Sequence, residues 1–427
     1  MINVNTPGGS ANIRNPLYAY VYHPQPSASD FPLNNGTIAH FHTTVRHPDE
    51  HGNSQPWLAN QELNANRQAL HDLTYQLLSD KWSYAPFSNT GYADGRGGRY
   101  NSIENMHNAI HYFVGGTGNM AVFPYSAFDP IFWLHHANVD RLFSLWQALY
   151  PDAHLTTSQA NAQGTFTLPP GGMEDASSPL TPFRTAENSN HNANTAWNIR
   201  SFGYTYPELA SSGSSNDISS SAISSQVRSA LNKLYNPTGS IVPRSLSVKA
   251  STSSLGSKTT PEHQYNINIR ASPSCRNSSF TIHFFLGNPA DPTSPSAWST
   301  APNLIASHVV MYMPPPPSSN IQASSNSKEA VYGSIPLTSA LLSVGLNVTL
   351  PFSEVAPFLT EQLEWRAQTR DGTVVDTENE RLQGQLRMFV VGREVRWPAE
   401  SEEDGFPEYG EFAMLLRGTA EGKFGGL

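Results

Sequence analysis

Four histidines lie close together in the sequence and are suited to hold a metal ion. His107 and His111 stand in the apolar stretch ENMHNAIHYFVGG, and His135 and His136 are adjacent in FDPIFWLHHANVDRLFSLW. Side chains four residues apart are neighbours on one helix face, so two imidazole nitrogens can converge on one ion. Neutral imidazole suits zinc, copper, iron and nickel. The first pair taken alone fits a structural role equally well, and the second pair tips the balance towards a metal site.

The two adjacent histidines cannot both face the same target. Consecutive helical residues differ in direction by about 100°, and His136 shares a face with Phe132 and Asp140. We therefore predict that His136 joins the first pair, whereas His135 packs beside the site. Asp140 has two roles open to it, because it can orient the ligands or form a structural ion pair with Arg141.

Two helices are predicted to position these side chains, one near residues 102–114 and one over 130–149. Asn101 is expected to cap the first helix, with Glu104 completing a capping box. Gly115 suits the left-handed position that follows a helix. A defined start and stop at this helix would fix where its two histidines point.

Composition excludes several classes of protein. The chain has 427 residues with 14% charged residues, 33 prolines and 30 glycines, which indicates many loops. The net charge of −9 without a basic block argues against nucleic acid as a partner. No apolar run approaches the ~20 residues of a membrane span. Cys275 is the one cysteine, so an internal disulfide is excluded. The first residues lack a signal-peptide pattern, which predicts a cytoplasmic or otherwise intracellular protein; the oligomeric state stays open.

The sequence pattern changes near residue 245, from helical spacing of apolar residues to period-two alternation. This change predicts an α + β protein with two domains, 1–244 and 245–427. The first part is predicted to be mainly helical, with a long helix over 60–82, a short one over 227–235, and loops through the first 60 residues. The second part is predicted to be a β-rich sandwich or barrel, since period-two patterns and strand formers recur. The predicted strands are 264–270, 279–287, 304–313 and 386–397.

The histidine motifs also carry a family resemblance. HNAIH followed by GG, and then AFDPIFWLHHANVDRLFSLW, resembles the copper-B half of type 3 copper proteins, specifically fungal tyrosinases. FGYTYPEL (202–209) resembles the tyrosine motif of that family, and NIRNPLYAYVYHP (12–24) resembles the segment after its copper-A half. The tail resembles the C-terminal domain of fungal pro-tyrosinases at FFLG, LEWR, DGFPEYGEF and GKFGGL.

The resemblance implies a fold, a metal and a reaction. It implies a tyrosinase-like core with part of a four-helix bundle, and a copper ion held by His107, His111 and His136. The implied reaction is the o-hydroxylation of monophenols and the oxidation of o-diphenols to o-quinones with O2, a melanin-type chemistry. The implied partners are therefore small phenols and catechols. Glu104 and Asn108 are expected to hold a water that helps to deprotonate the phenol.

One departure from the family pattern limits this expectation. Family members hold a second copper with histidines that precede the NPLY segment, and here the eleven residues before Asn12 contain no histidine. The chain is therefore expected to be an N-terminally incomplete tyrosinase that is inactive alone, with a second copper only if a copper-A half is supplied. The early histidines, from His23 to His51, are dense enough to suggest a substitute site, but their sequence context predicts loops.

Three other functions stay open. The first is a catechol oxidase without monophenolase activity, and the second is a non-enzymatic copper-binding remnant. An oxygen carrier of the hemocyanin type is disfavoured by the fungal-like tail. The resemblance further implies that residues 245–427 dock as a lid over the copper-B helices and insert a bulky side chain where a phenol ring would sit.

Overall fold

The protein is described from a computed structural model. It describes residues 1–31, 37–92, 100–155, 158–159, 172–210, 221–237, 262–272, 278–289, 291, 294–312, 330–346, 351–376, 384–398 and 405–425. Within these residues the chain forms a helical part followed by a β part. The domain boundary predicted near residue 245 lies outside the described residues.

The helical part is built around one long helix. Its helices are α1 (Pro56–Ser79), α2 (Tyr84–Ser88), α3 (Ile103–Gly115), α4 (Phe123–Ser126), α5 (Ile131–Leu149) and α6 (Ser221–Tyr235). Helix α1 contacts α3, α5 and α6, and their facing side chains form one apolar core. Trp146 of α5 lies at its centre, stacked on Phe87 with ring centroids 4.3 Å apart. This core fixes α3 and α5 side by side, and these are the two helices that carry the four histidines.

Short strands and turns surround the helices. An antiparallel hairpin joins β1 (Ile2–Thr6) to β2 (Gly9–Ile13), and β3 (Ser158–Gln159) pairs with β4 (Met173–Glu174). The prediction of loops through residue 60 is therefore wrong for the hairpin. Its alternating Asn, Thr and Ser residues bury almost no apolar surface, and so they give no period-two apolar signal.

The β part consists of two antiparallel sheets that share a core. Its strands are β5 (His263–Ala271), β6 (Phe280–Leu286), β7 (Leu304–Val310), β8 (Val331–Pro336), β9 (Leu363–Thr369), β10 (Leu386–Arg396), β11 (Glu408–Tyr409), β12 (Ala413–Gly418) and β13 (Phe424–Gly425). One sheet has the order β13-β12-β10-β5-β8, with β11 on β10, and the other has the order β7-β6-β9. The short helices α7 (Thr338–Ser343) and α8 (Phe352–Gln362) complete this part. The predicted sandwich-like β domain is confirmed.

The central strand β5 is buried on both faces. Tyr265, Ile267 and Ile269 face the shared core, as the period-two pattern predicts. The intervening polar residues are also buried, and Asn266 donates to Oε1 of Gln76 on α1 at 3.0 Å. The second face of the strand is therefore covered by the long helix and not by solvent.

The β part docks firmly on the helical part. Arg393 donates to the carboxylate of Asp80 at 2.8 Å, and both side chains are almost fully buried. Ser307 of β7 donates its backbone N–H to Oδ1 of Asn66 on α1 at 2.7 Å. These contacts hold the β part against α1 and the residue that follows it, whereas the expected lid over the copper-B helices and its inserted side chain stay predictions. None of the described helices is long and apolar enough to cross a membrane.

Candidate metal centre

Helix α3 presents two histidines on one face because its ends are fixed. Ser102 is the N-cap, and its hydroxyl accepts from the N–H of Asn105 at 3.1 Å. The prediction of a cap at Asn101 is wrong, since the Asn101 amide donates instead to the Leu73 carbonyl. The left-handed glycine at the end is Gly116, with φ of 57°, one residue beyond the prediction.

Helix α5 begins at a buried carboxylate. Asp129 accepts from the N–H of Ile131 at 3.0 Å and from Nε of Arg46 at 2.9 Å. The carboxylate therefore accepts from a free N–H of the first turn, and its negative charge interacts favourably with the positive end of the helix dipole. This anchoring fixes the rotation of α5 and hence the direction of His136.

Three imidazole nitrogens converge between α3 and α5. Nε2 of His107 lies 3.1 Å from Nε2 of His111 and 3.1 Å from Nε2 of His136. Nitrogens that bind one ion at ~2.0–2.1 Å lie within about 4 Å of one another, so the spacing fits a shared metal. The three histidines named from the sequence are thus brought together.

Each of these imidazoles is held by a carbonyl oxygen at its other nitrogen. Nδ1 of His111 donates to the Met120 carbonyl at 2.6 Å, and Nδ1 of His136 donates to the Phe132 carbonyl at 2.8 Å. Nδ1 of His107 lies 2.9 Å from the side-chain oxygen of Asn108. Because a carbonyl oxygen only accepts, the proton sits on Nδ1 and the three Nε2 lone pairs face one another. Such a set of acceptors without a shared proton is suited to a cation.

The surroundings favour the neutral form of His107 and His111. Burial lowers the pKa of His107, and burial together with the neighbouring imidazoles lowers the pKa of His111 to about 4. Phe123 packs edge-on against His111 at 5.3 Å between centroids, and Phe132 lies 3.9 Å from the His136 ring. A neutral, partly desolvated histidine is the form that binds a metal.

His135 lies closer to the cluster than its position on the helix suggested. It is buried and stacks on His107 with centroids 5.1 Å apart, and its Nε2 is buried without a hydrogen-bond partner. Ligand atoms of all four histidines lie within 4.8 Å of one another. The 100° difference in helix direction predicted that His135 would lie beside the site, whereas its ring lies within the same group as that of His136.

Glu104 and Asn108 both lie at the rim of this cluster. The Glu104 carboxylate accepts from the N–H of Thr90 at 2.7 Å and from its hydroxyl at 2.9 Å, so it does not close the predicted capping box. Asn108 orients His107, as described above. Neither residue's predicted role in holding a water is tested by these contacts.

Asp140 and Arg141 have partners that the sequence did not pair with them. Asp140 accepts from the hydroxyls of Tyr204 and Tyr206 at 2.9 and 2.6 Å. Arg141 forms an ion pair with Glu208. Of the two roles left open for Asp140, the ion pair with Arg141 does not form, because successive helical side chains diverge and each meets a different part of the FGYTYPEL segment.

The early histidines form no second cluster within the described residues. Nε2 of His47 donates to the Phe113 carbonyl at 2.9 Å, and Nδ1 of His42 lies 3.0 Å from the side-chain oxygen of Gln25. Across the described part of the chain, the four histidines of α3 and α5 are the one group of three or more ligand residues. The geometry therefore gives no support to a substitute site between His23 and His51.

Two family models match the chain. Residues 2–149 match the common central domain of tyrosinase, and residues 264–385 match the tyrosinase C-terminal domain. A tyrosinase of Podospora anserina is 30% identical over 404 residues, which covers 81% of this chain and 67% of that protein. A tyrosinase of Neurospora crassa is 37% identical over 217 residues, covering 48% of this chain and 30% of the relative.

Solved structures show the same fold. A mushroom tyrosinase, solved in a crystal of its latent and active forms, has a TM-score of 0.76 to this chain at 24% identity. The match covers 97% of this chain and 72% of the mushroom chain. A pro-tyrosinase of Aspergillus oryzae matches with a TM-score of 0.60 at 18% identity. The chain thus spans about two thirds of the Podospora relative and under a third of the Neurospora one.

Proposed function

The chain belongs to the tyrosinase family of copper oxidoreductases, and on that premise we propose that His107, His111 and His136 bind one copper ion through Nε2. The observation that carries the proposal is the convergence of three Nε2 atoms whose Nδ1 partners are all carbonyl oxygens. Bound copper would supply the redox chemistry with O2, which is insertion of an oxygen atom ortho to the hydroxyl of a phenol and two-electron oxidation of a catechol to its o-quinone.

The protein contributes orientation, a fixed tautomer and a partly dry site. The carbonyls of Met120 and Phe132 and the amide of Asn108 keep the proton on Nδ1, so each Nε2 stays available to the metal. Phe123 and Phe132 flank the imidazoles and exclude water from their outer sides. His135 stacks against His107 and limits the rotation of that ring.

We extend the proposal to the substrate as o-hydroxylation of monophenols and oxidation of o-diphenols. In this account Glu104 and Asn108 hold a water that accepts the phenol proton, and Glu104 is kept in place by Thr90. The alternative is a catechol oxidase that acts on diphenols alone. Comparing the oxidation of a monophenol with that of its matching catechol separates the two.

We further propose that this chain alone binds one copper and turns substrate over poorly. Support comes from the single group of histidine ligands in the described residues, which favours the alternative of a non-enzymatic copper-binding protein for the isolated chain. The family resemblance implies a second copper with its own histidines, and the described residues offer no second group of ligands for it.

The test uses the full chain, stripped with a chelator and reloaded with copper. We expect one copper per chain, and o-quinone formation from a catechol at a trace rate. The matched control is His51→Gln, since His51 is exposed and is not a member of the cluster's ligand group. Two coppers per chain with sustained turnover would overturn the one-copper proposal, and failure of the unmodified chain to bind any copper would overturn the metal site itself.

A further inference from the structure

The connector between α3 and α4, residues 116–122, supports two of the histidines. The Met120 carbonyl accepts from Nδ1 of His111 at 2.6 Å. Phe123, which directly follows the connector, packs against the rings of both His107 and His111. The position of this short segment therefore decides where the His111 ring is held.

The β part reaches this connector in two ways, through apolar packing of Val309 against Ala121 and through the side chain of Arg370, which directly follows β9. Nη1 of Arg370 donates to the Ala121 carbonyl at 3.0 Å, and Nη2 donates to the Thr117 carbonyl at 3.3 Å. The two carbonyls lie on either side of Met120 in the sequence. Arg370 itself is largely buried beside Tyr112 of α3, and burial lowers the pKa of its guanidinium.

We propose that Arg370 is a positioning residue for the copper site, because its guanidinium clamps the connector and so keeps the Met120 carbonyl aimed at Nδ1 of His111. The inference rests on the proposed function in one respect, which is that the cluster binds copper. A guanidinium is planar and carries its donors in a fixed fork. Two carbonyls bound to one fork keep a set spacing, and the peptide between them loses freedom to rotate.

Other contacts hold a different part of the connector. Asn119 accepts from the N–H of Val45 at 2.9 Å, and the Asn119 N–H donates to the Val45 carbonyl at 3.0 Å. A Cβ on Gly118 would lie 2.1 Å from that same carbonyl, so Gly118 is packed directly on the N-terminal segment. These contacts fix Gly118 and Asn119. The backbone bonds from Ala121 to Gly118 and from Val122 to Asn119 shape the turn around Met120, and the Arg370 bonds tie that turn to the β part.

The clamp makes the metal site sensitive to the docking of the β part. Helix α3 turns its histidines towards α5, while Tyr112 and Ala109 on its other side pack with Val309 of β7. Arg370 lies on that second side, and it contacts the connector that follows the C-terminal end of the helix. Loss of the guanidinium would free the His111 ring without removing any ligand from the cluster.

The experiment compares Arg370→Met and Arg370→Lys with Ser79→Ala. The first removes the donors, and the second leaves one compact charge that cannot bridge two carbonyls in a fork. Ser79→Ala removes another contact between the two parts, the Ser79–Tyr409 hydrogen bond, which belongs to α1 and not to the connector. The full chain is used throughout.

The first readout needs no metal. In the apo protein, labelled at histidine, the Nδ1 proton of His111 should give a slowly exchanging signal by NMR. We expect Arg370→Met to lose that signal to solvent exchange, Arg370→Lys to weaken it, and Ser79→Ala to keep it. The second readout is affinity for Co²⁺ and the absorption spectrum of the Co²⁺ complex, where Arg370→Met should lose up to about 10-fold in affinity with an altered spectrum.

Two outcomes would overturn the inference. One is an unchanged His111 proton and unchanged Co²⁺ spectrum in Arg370→Met, even with a lower melting temperature, because Arg370 would then be a docking contact alone. The other is an equal loss of the His111 signal in Ser79→Ala. If Arg370→Met does not fold, Arg370→Lys carries the same comparison. Failure of the unmodified chain to bind metal would sink the proposed function and leave the NMR comparison standing.

Discussion

Buried histidines occur in both parts of the molecule, and only one set is arranged for metal binding. His283 and His308 of the β part are as deeply buried as His111 of the helical part. Nδ1 of His283 lies 2.8 Å from the Ser307 hydroxyl, and its Nε2 accepts from the Gln368 amide at 2.9 Å. Each strand histidine thus stands alone among polar or close-packed neighbours, whereas the helical histidines turn their lone pairs towards one another.

The difference shows that burial and a lowered pKa do not identify a ligand. Burial lowers the pKa of His283 to about 3 and that of His308 to about 4, and neither residue joins a group of ligands in the described residues. The distinguishing feature is where the second ring nitrogen points. His283 has partners on both ring nitrogens, whereas His107, His111 and His136 have an oxygen acceptor on Nδ1 and Nε2 atoms that converge on one another.

The largest effect is expected from exchanging one histidine of each kind for glutamine. His107→Gln removes a central ligand, and we expect copper affinity to fall by at least about 100-fold, beyond the 10–100-fold typical of losing an orienting partner. His283→Gln should leave copper affinity unchanged and lower the free energy of unfolding by about 1–3 kcal/mol, because Ser307 and Gln368 lose a buried partner. Copper titration and urea unfolding measure the two quantities. Equal copper affinities in the two variants would remove the distinction.

Acid should destabilise the fold through the strand histidines. The pKa of His283 falls from 6.5 to about 3 on folding, so between these values the unfolded chain binds more protons than the folded one. The free energy of unfolding should therefore fall as pH drops below 6.5, by about 1.4 kcal/mol per pH unit for each such histidine.

The matched comparison for this pH effect is between His283→Gln and His51→Gln, which replaces an exposed histidine. Urea unfolding between pH 4 and 6.5 should show a shallower slope in the first variant and an unchanged slope in the second. Parallel curves for the unmodified protein and His283→Gln would mean that His283 does not contribute to the acid dependence.

The smallest effect concerns the groups that orient each kind of histidine. Asn108→Ala frees Nδ1 of His107, and we expect a loss of roughly 10-fold in copper affinity with little change in stability. Gln368→Ala removes the partner of Nε2 in His283, and we expect a stability loss of about 1 kcal/mol with copper affinity retained. Copper titration and thermal unfolding of both variants check the pair. The reverse pattern would show that Asn108 is a structural residue.

The elements that carry the site were largely predictable from the sequence. Helices α3 and α5 begin and end within one residue of the predictions, since spacing and flanking glycine and proline residues mark their limits. The convergence of His107, His111 and His136 also followed from spacing. The four predicted strands lie at β5, β6, β7 and β10.

What the sequence could not supply were contacts between distant segments. Nothing local marks Met120 as the acceptor for His111, because any backbone carbonyl can serve and the choice depends on how the connector folds. Arg370 lies more than 240 residues from the carbonyls it binds. The pairing of Asp140 with two tyrosines depends on the path of residues 202–209 over α5. Each depends on tertiary packing, which helical and strand periodicities do not encode.

The hairpin of β1 and β2 has a consequence for how the molecule opens to solvent. Its two five-residue strands have no fully buried side chain and are held by their mutual backbone bonds. Two strands alone are at best marginally stable in water. Its amide protons should therefore exchange by local opening well before those of β5, which is buried on both faces. Among the described residues, a protease should cut the hairpin before the helices and the sheets of the β part.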